Sequence, residues 1–291
     1  MRPTPNDAVK TVLKEKLLEI ETAFHSDVFT YFGEINDGYE TQVRDVIEDL
    51  ASDTAKREKL LVILTTPGGS ALAVERYTNI LRHHYSDISF LVPDYAYSAG
   101  TIFCMSGDTI YMDYQSVLGP IDPQVKNSAG KMVAAAAYLD KVNELLERAK
   151  QPDFTQAEFL ILKDMDLAEL RGYEQAMNLT VDLLKKWLVT YKFKNWNTHQ
   201  TSTQKLGQPV TLREKENRAI EIARALGNTE RWKFHGRPIN MYTLIHEVKL
   251  KIDDFGSNAD NAKLVKDYYA MLLGYVTNIQ IPIFVHTRNF I

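Results

Sequence analysis

The sequence predicts an α/β fold: a core of parallel strands covered by helices, plus a helical insertion. Three observations predict it. Residues 60–65, LLVILT, form a continuous apolar run without alternation, the pattern of a strand buried on both faces in a helix-covered parallel sheet. Strand-like and helix-like segments alternate up to residue 112, which implies right-handed crossovers between parallel strands. Beyond Asp122 the pattern turns to long helices.

Residues 1–24 read as a helical arm, with Val9, Val12, Leu13, Leu17, Leu18 and Ile20 at helical spacing between Lys and Glu. The core is assigned to residues 25–150. Its first strand is drawn from 27–35, DVFTYFGEI, and the turn NDGY leads into a helix over 41–50. The run at 60–65 ends in Pro67-Gly68-Gly69. A helix over 70–84 packs back, 88–92 is a second strand, 98–106 a short helix and 109–112 a third strand. Residues 132–150 read as one long helix broken by Pro152. The insertion, 151–231, holds one or two helices over 155–191, a polar loop over 193–211 and a helix over 212–226. Residues 232–291 return to the core, with a helix over 258–277. Alternating Ile279, Ile281, Ile283 and Val285 suggest an edge or partner-facing strand.

The 291 residues suit one large domain or a domain with a helical appendage. Lys and Arg number 34 against 38 Asp and Glu, a net charge of −4. That lacks the basic footprint of a dedicated nucleic-acid binder. Cys104, the single cysteine, excludes an intramolecular disulfide and any multi-cysteine zinc site. No apolar run approaches the roughly 20 residues that span a bilayer, and the charged first residues have no signal-peptide core. A soluble, cytoplasmic protein is expected. No metal or cofactor is expected either, since G-x-G-x-x-G is absent and His246-Glu247 does not make H-E-x-x-H.

Three loops carry candidate chemistry. Thr66-Pro67-Gly68-Gly69-Ser70 follows the buried run. Its glycines allow close approach of another chain, and their N–H groups can converge as an oxyanion hole requires; the same residues also make a plain strand-to-helix turn. Tyr97-Ser98-Ala99-Gly100-Thr101 places a serine between small residues at a helix start, like a nucleophile elbow without G-x-S-x-G. Ser98 alone favours a plain helix N-cap. Ser116 to Gln124, SVLGPIDPQ, is a rigid loop that walls a site or simply crosses over. Gly69 and Ser98 are 29 residues apart, one helix plus one strand. This brings both loops to the carboxyl end of neighbouring parallel strands, where open α/β sheets place their sites.

These stretches, LLVILTTPGGSALAVERY, VPDYAYSAGTIFCMSGDTIYM and SVLGPIDPQV, resemble the serine dehydrogenase proteinase family of the Clp-protease/crotonase superfamily, related to signal peptide peptidase A, the NfeD-associated proteases and ClpP. FHGRPINMYTLIHEVKLKI is similar to that family's late HG-x-P-I segment. The resemblance covers about residues 27–150 and, loosely, 232–255. It implies a ClpP/crotonase-like core and a serine peptidase. Ser98 would be the nucleophile, with the N–H of Ala99 and of Gly68 or Gly69 as the oxyanion hole. Substrate would lie extended beside residues 67–71, Ser70 included.

A serine hydroxyl needs a group to accept its proton. ClpP uses a histidine on the loop after the third strand, where this chain has Asp122; no histidine lies between His84 and His199. The signal-peptide-peptidase and NfeD-associated relatives use a lysine of the next helix, which points to Lys141, or to Lys131, and to a Ser–Lys dyad. Half-burial on its helix flank would lower the Lys141 pKa as a base needs. Asp122 and His235 are possible accessory residues. The expected partners are a peptide or protein substrate and further copies of the chain, with a possible partner protein docking on 151–231. The alternatives are a non-catalytic scaffold of the same fold and, from another enzyme class, a crotonase-type acyl-CoA enzyme.

Overall fold

The computed structural model describes residues 4–127 and 130–291. Thr4 opens the first helix, α1 (Pro5–Phe24): its hydroxyl accepts from Asp7 N–H while the Asp7 carboxylate accepts from Thr4 N–H. This reciprocal cap satisfies donors that a helix start leaves open. Leu13, Leu17 and Ile20 are buried, so the amphipathic stripe read from the sequence is packed. The first α/β crossovers follow: β1 (Asp27–Gly33), α2 (Glu40–Ser52), β2 (Lys59–Thr65), α3 (Ala71–His84) and β3 (Asp87–Leu91). Next come the two-residue strand β4 (Tyr95–Ala96), α4 (Ala99–Cys104), β5 (Thr109–Met112) and β6 (Val117–Leu118).

β1, β2, β3 and β5 are parallel neighbours, as the sequence predicts. The reason for the unbroken LLVILT run is visible in its packing. Leu61 and Ile63 face one apolar cluster, while Leu60, Val62 and Leu64 face the other. Each such fully buried side chain contributes about 1.5–3 kcal/mol of transfer free energy.

After β6 the structure departs from the sequence reading. The expected single helix over 132–150 is instead a hairpin followed by a helix. β7 (Gln124–Lys126) pairs antiparallel with β8 (Met132–Ala134), and α5 runs from Ala135 to Arg148. Gly130, at φ 74, makes the turn. Met and Ala favour a helix locally, yet here cross-strand pairing overrides propensity, and Ala134 offers no side-chain cap that would start the helix sooner.

The helical segment holds α6 (Gln156–Lys163), α7 (Leu167–Trp187) and α8 (Leu212–Leu226), with one wide π turn over Leu188–Lys192 at the end of α7. Leu183, Leu184 and Trp187 of α7 join the same buried cluster as Tyr31 and Phe103, so α7 shares the sheet's core. The return path gives α9 (Thr229–Trp232), β9 (Ile239–Asn240), α10 (Met241–His246), β10 (Asp253–Asp254), α11 (Ala259–Ile279) and β11 (Ile283–His286). The main sheet has the order β10-β5-β3-β2-β1-β11, with only β11 antiparallel, on the β1 edge. α1 and α11 cover one face, and α2, α3, α4 and α7 the other. A smaller sheet, β4-β6-β9, stands beside it. Among the described residues no helix is long and apolar enough to cross a membrane.

Candidate active site

The two sheets meet where β2 runs out. Thr66 N–H donates to Tyr95 O (3.1 Å) and Tyr97 N–H to Thr66 O (3.0 Å), fastening the glycine loop to the segment that carries Ser98. Gly68 and Gly69 follow at φ 113 and 138, dihedrals that glycine adopts without penalty. A Cβ on Gly69 would lie 2.1 Å from Ile35 O, and one on Gly68 would lie 2.9 Å from Ser98 Cβ. Both glycines are therefore required by close approach.

The donors of this loop separate by geometry. Gly68 N–H is already given to Thr66 Oγ1 (3.1 Å). Ile35 N–H donates to Gly68 O and Ser70 N–H to Ile35 O. Gly69 N–H and Ala99 N–H have no acceptor among the described residues. Ser70 is engaged on its side chain as well: Oγ accepts from Ala73 N–H, capping α3, and donates to Asp37 Oδ1 (3.0 Å).

Ser98 sits at φ 51 and ψ −115, a conformation that costs a non-glycine residue about 1–3 kcal/mol. It occupies the N-cap position of α4 but makes no capping hydrogen bond, and its half-buried Oγ bonds to no described residue. Small neighbours permit the turn. A Cβ on Gly100 would be 2.3 Å from Thr66 Cγ2, and one on Gly119 would be 2.6 Å from the Tyr97 ring and 3.3 Å from Ser98 N. Thr101 Oγ1 donates to Ala96 O and accepts from Gly119 N–H (2.9 Å), tying the elbow to the GPIDPQ loop.

Three residues beyond Gly119 lies Asp122, buried at 3% exposure. At most about 10 Å of chain separates the two positions. Asp122 Oδ1 is 2.8 Å from His235 Nδ1, and its Oδ2 accepts from Gln124 Nε2 (2.8 Å). His235 is half-buried, and its Nε2 has no partner among the described residues. The structure thus brings together two residues that the sequence offered only as accessories.

It does not bring the lysines in. Lys141 Nζ donates to both carboxylate oxygens of Glu144 (2.9 Å each) with its side chain 62% exposed, so the half-burial expected for it is absent. Lys131 is exposed in the β7–β8 turn, its N–H bonded to Asn127 Oδ1. Among the described residues, the one lysine whose pKa falls clearly by burial is Lys192, to about 8. It lies in another cavity, and no spacing in the sequence marked it. Cys104 is fully buried, which pushes its thiol pKa well up and leaves it inert.

Two uncharacterized proteins of Methanocaldococcus jannaschii are similar to the chain. MJ1495 is 28% identical over 162 residues, 55% of this chain and 51% of that protein, and MJ0137 is 27% identical over 168 residues, 57% and 54%. The chain spans about half the length of these curated relatives. Among solved structures, a serine-to-alanine mutant of the 1510-N membrane-bound stomatin-specific protease covers 52% of this chain and 81% of its own, at 19% identity and a TM-score of 0.32. A lysine-to-alanine mutant of the same protease, in complex with a substrate peptide, covers 55% and 77%, at 21% identity and a TM-score of 0.32. A family profile described as ClpP-like SDH-type serine proteinase matches residues 28–234, and this chain belongs to that family.

Proposed function

We propose that the chain is a serine peptidase in which Ser98 is the nucleophile and the Asp122–His235 pair is its base. The observation that carries this reading is the elbow itself. Ser98 is held in a strained conformation, makes no side-chain cap, and packs against the glycine loop at Gly68; in that loop and at the elbow, Gly69 N–H and Ala99 N–H have no acceptor among the described residues. A strained residue whose side chain bonds to nothing else among the described residues is a mark of a functional position.

In this mechanism Ser98 Oγ attacks the peptide carbonyl carbon and its proton passes to His235 Nε2. Asp122 fixes the ring through Nδ1 and stabilises the imidazolium that forms. Gly69 and Ala99 N–H groups donate to the carbonyl oxygen as it becomes an oxyanion. His235 then gives the proton to the leaving amine, and water hydrolyses the acyl-Ser98 ester by the same route reversed. Gly69 is favoured over Gly68 as donor because Gly68 N–H is occupied by Thr66 Oγ1. The Ser98–Lys141 dyad implied by the family resemblance is the second reading; it requires Lys141 to leave Glu144 and turn toward Ser98.

The substrate side is part of the same proposal. A peptide or protein chain would lie extended along residues 67–71, pairing through backbone groups. Self-association is included too, with the exposed Phe159, Leu160 and Ile161 of α6 as a contact patch in the 151–231 segment, where another protein could also dock. A cytoplasmic setting is retained on the lone, buried Cys104. The test is reaction of the full chain with a fluorophosphonate, followed by peptide mapping. Adduct on Ser98, absent in Ser98→Ala, supports the reading; a folded chain that gives no adduct moves it to the non-catalytic scaffold.

A further inference from the structure

At the amino ends of β3 and β5 the protein opens a second cavity, of about 830 Å3. Asp87, Asp108 and Thr109 form its floor. Ser98 follows β4 beyond the opposite, carboxyl end of the sheet, and a strand as long as β3 spans about 16 Å. The cavity and the serine elbow are therefore separate sites, and nothing in the reading of Ser98 bears on this one.

The charges in the cavity do not cancel. Lys192, Lys194, Arg218, Lys249 and Lys251 line it, against three carboxylates. Each carboxylate already has a cation: Asp108 is paired with Arg82 and Lys194, Asp253 with Lys251 (3.7 Å), and Asp87 with Lys59 (3.9 Å). Two lysines are left over. Neither Lys192 Nζ nor Lys249 Nζ has an ion-pair or hydrogen-bond partner among the described residues. Lys192 is half-buried and closes the π turn, in which Phe193 N–H reaches back to Leu188 O. Such turns insert an extra residue and recur at functional positions.

The cavity also has an aromatic lining. Trp196 stands edge-on to Phe193 (5.5 Å between ring centres) and to His199 (5.8 Å), and its indole N–H has no acceptor among the described residues. Unpaired cations and an indole with a free N–H lining one cavity match a ligand that has both an anionic group and a ring. We propose that this cavity is a second ligand site, which takes a small ring-bearing phosphate or carboxylate, with the anion held between the unpaired Lys249 and Lys192 and the ring beside Trp196. Lys249 still holds the anion when the Lys192 amine is neutral.

Burial lowers the Lys192 pKa to about 8, and Asp253 opposes that shift. Its amine therefore has a substantial neutral fraction near that pH and is open to aldehydes. This supplies a test on the unaltered chain. Pyridoxal 5′-phosphate, 4-formylbenzoate and the anion-free pyridoxal are each reacted at pH 8, and the imines are reduced with borohydride. The amine adds to the aldehyde carbon and water leaves. Hydride then goes to carbon and a proton from water to nitrogen, so each event leaves a stable secondary amine that peptide mapping locates.

Lys192 is expected to be labelled severalfold faster than exposed Lys141, whose amine is held by the Glu144 carboxylate. The anionic aldehydes should label Lys192 severalfold faster than pyridoxal, and inorganic phosphate should slow them saturably. The faster of the two anionic reagents distinguishes a phosphate from a carboxylate as the natural group. Labelling of Lys192 no faster than of Lys141, or equal labelling by pyridoxal and its phosphate, would overturn the proposal.

Discussion

Asp122 and His235 are 113 positions apart in the sequence, and their side chains meet at 2.8 Å, Oδ1 to Nδ1. A buried carboxylate on one ring nitrogen fixes the orientation of the imidazole and leaves the other nitrogen for a proton in transit. Asp122→Asn keeps the shape and loses the charge. Under the proposed mechanism it slows the fluorophosphonate reaction at Ser98 by about a thousandfold, because the ring loses the partner that orders it. Rate constants for the two proteins check this.

The strain at Ser98 can be weighed without any chemistry. Ser98→Ala and Ser98→Gly both remove Oγ, but only glycine relaxes at φ 51. Ser98→Gly is expected to be more stable than Ser98→Ala by about 1–2 kcal/mol, measured by urea unfolding. Equal stabilities would mean that the elbow stores no strain.

Gly69→Ala places a methyl group 2.1 Å from Ile35 O at a φ of 138. The loop must shift, so the substitution is expected to cost about 2 kcal/mol or more and to abolish Ser98 labelling in whatever fraction stays folded. Unfolding and labelling measured on one preparation separate the two effects.

His286 supplies the pH dependence of stability. It is fully buried between Tyr268 and Phe284, and desolvation, with a smaller contribution from Lys14, lowers its pKa from 6.5 to about 3. Between these values the unfolded chain binds a proton that the folded chain refuses. The stability associated with neutral His286 is complete above about pH 6.5 and is lost as the pH falls toward 3, with a slope of up to about 1.4 kcal/mol per pH unit. Urea unfolding of wild type and His286→Phe across this range should show a shallower acid limb in the variant.

Much of the fold was legible because its signals are local. The five consecutive apolar residues of β2 need no partner to be recognised, and the helix expected over 212–226 is α8, Leu212–Leu226. Ser98, Ala99 and the two glycines stood out because small residues clustered at two strand ends. What escaped depends on distant pairing. β4, β6 and β9 are two residues long and exist only through each other. β8 was hidden under helix-forming Met and Ala. The division of labour between Gly68 and Gly69 rests on one hydroxyl, that of Thr66. Lys141 had the spacing of a flank position, but spacing could not reveal that Glu144, one turn on, holds it at the surface. His235 is legible as a candidate, yet only folding brings it to Asp122.

The most direct measurement is the fluorophosphonate rate constant at Ser98 in wild type, His235→Gln and Lys141→Ala. The Asp122–His235 account predicts a fall of at least about a hundredfold for His235→Gln. It predicts an unchanged rate for Lys141→Ala, with stability within about 0.5 kcal/mol of wild type. A rate that survives His235→Gln and collapses in a folded Lys141→Ala would contradict the account and make the dyad the working machinery.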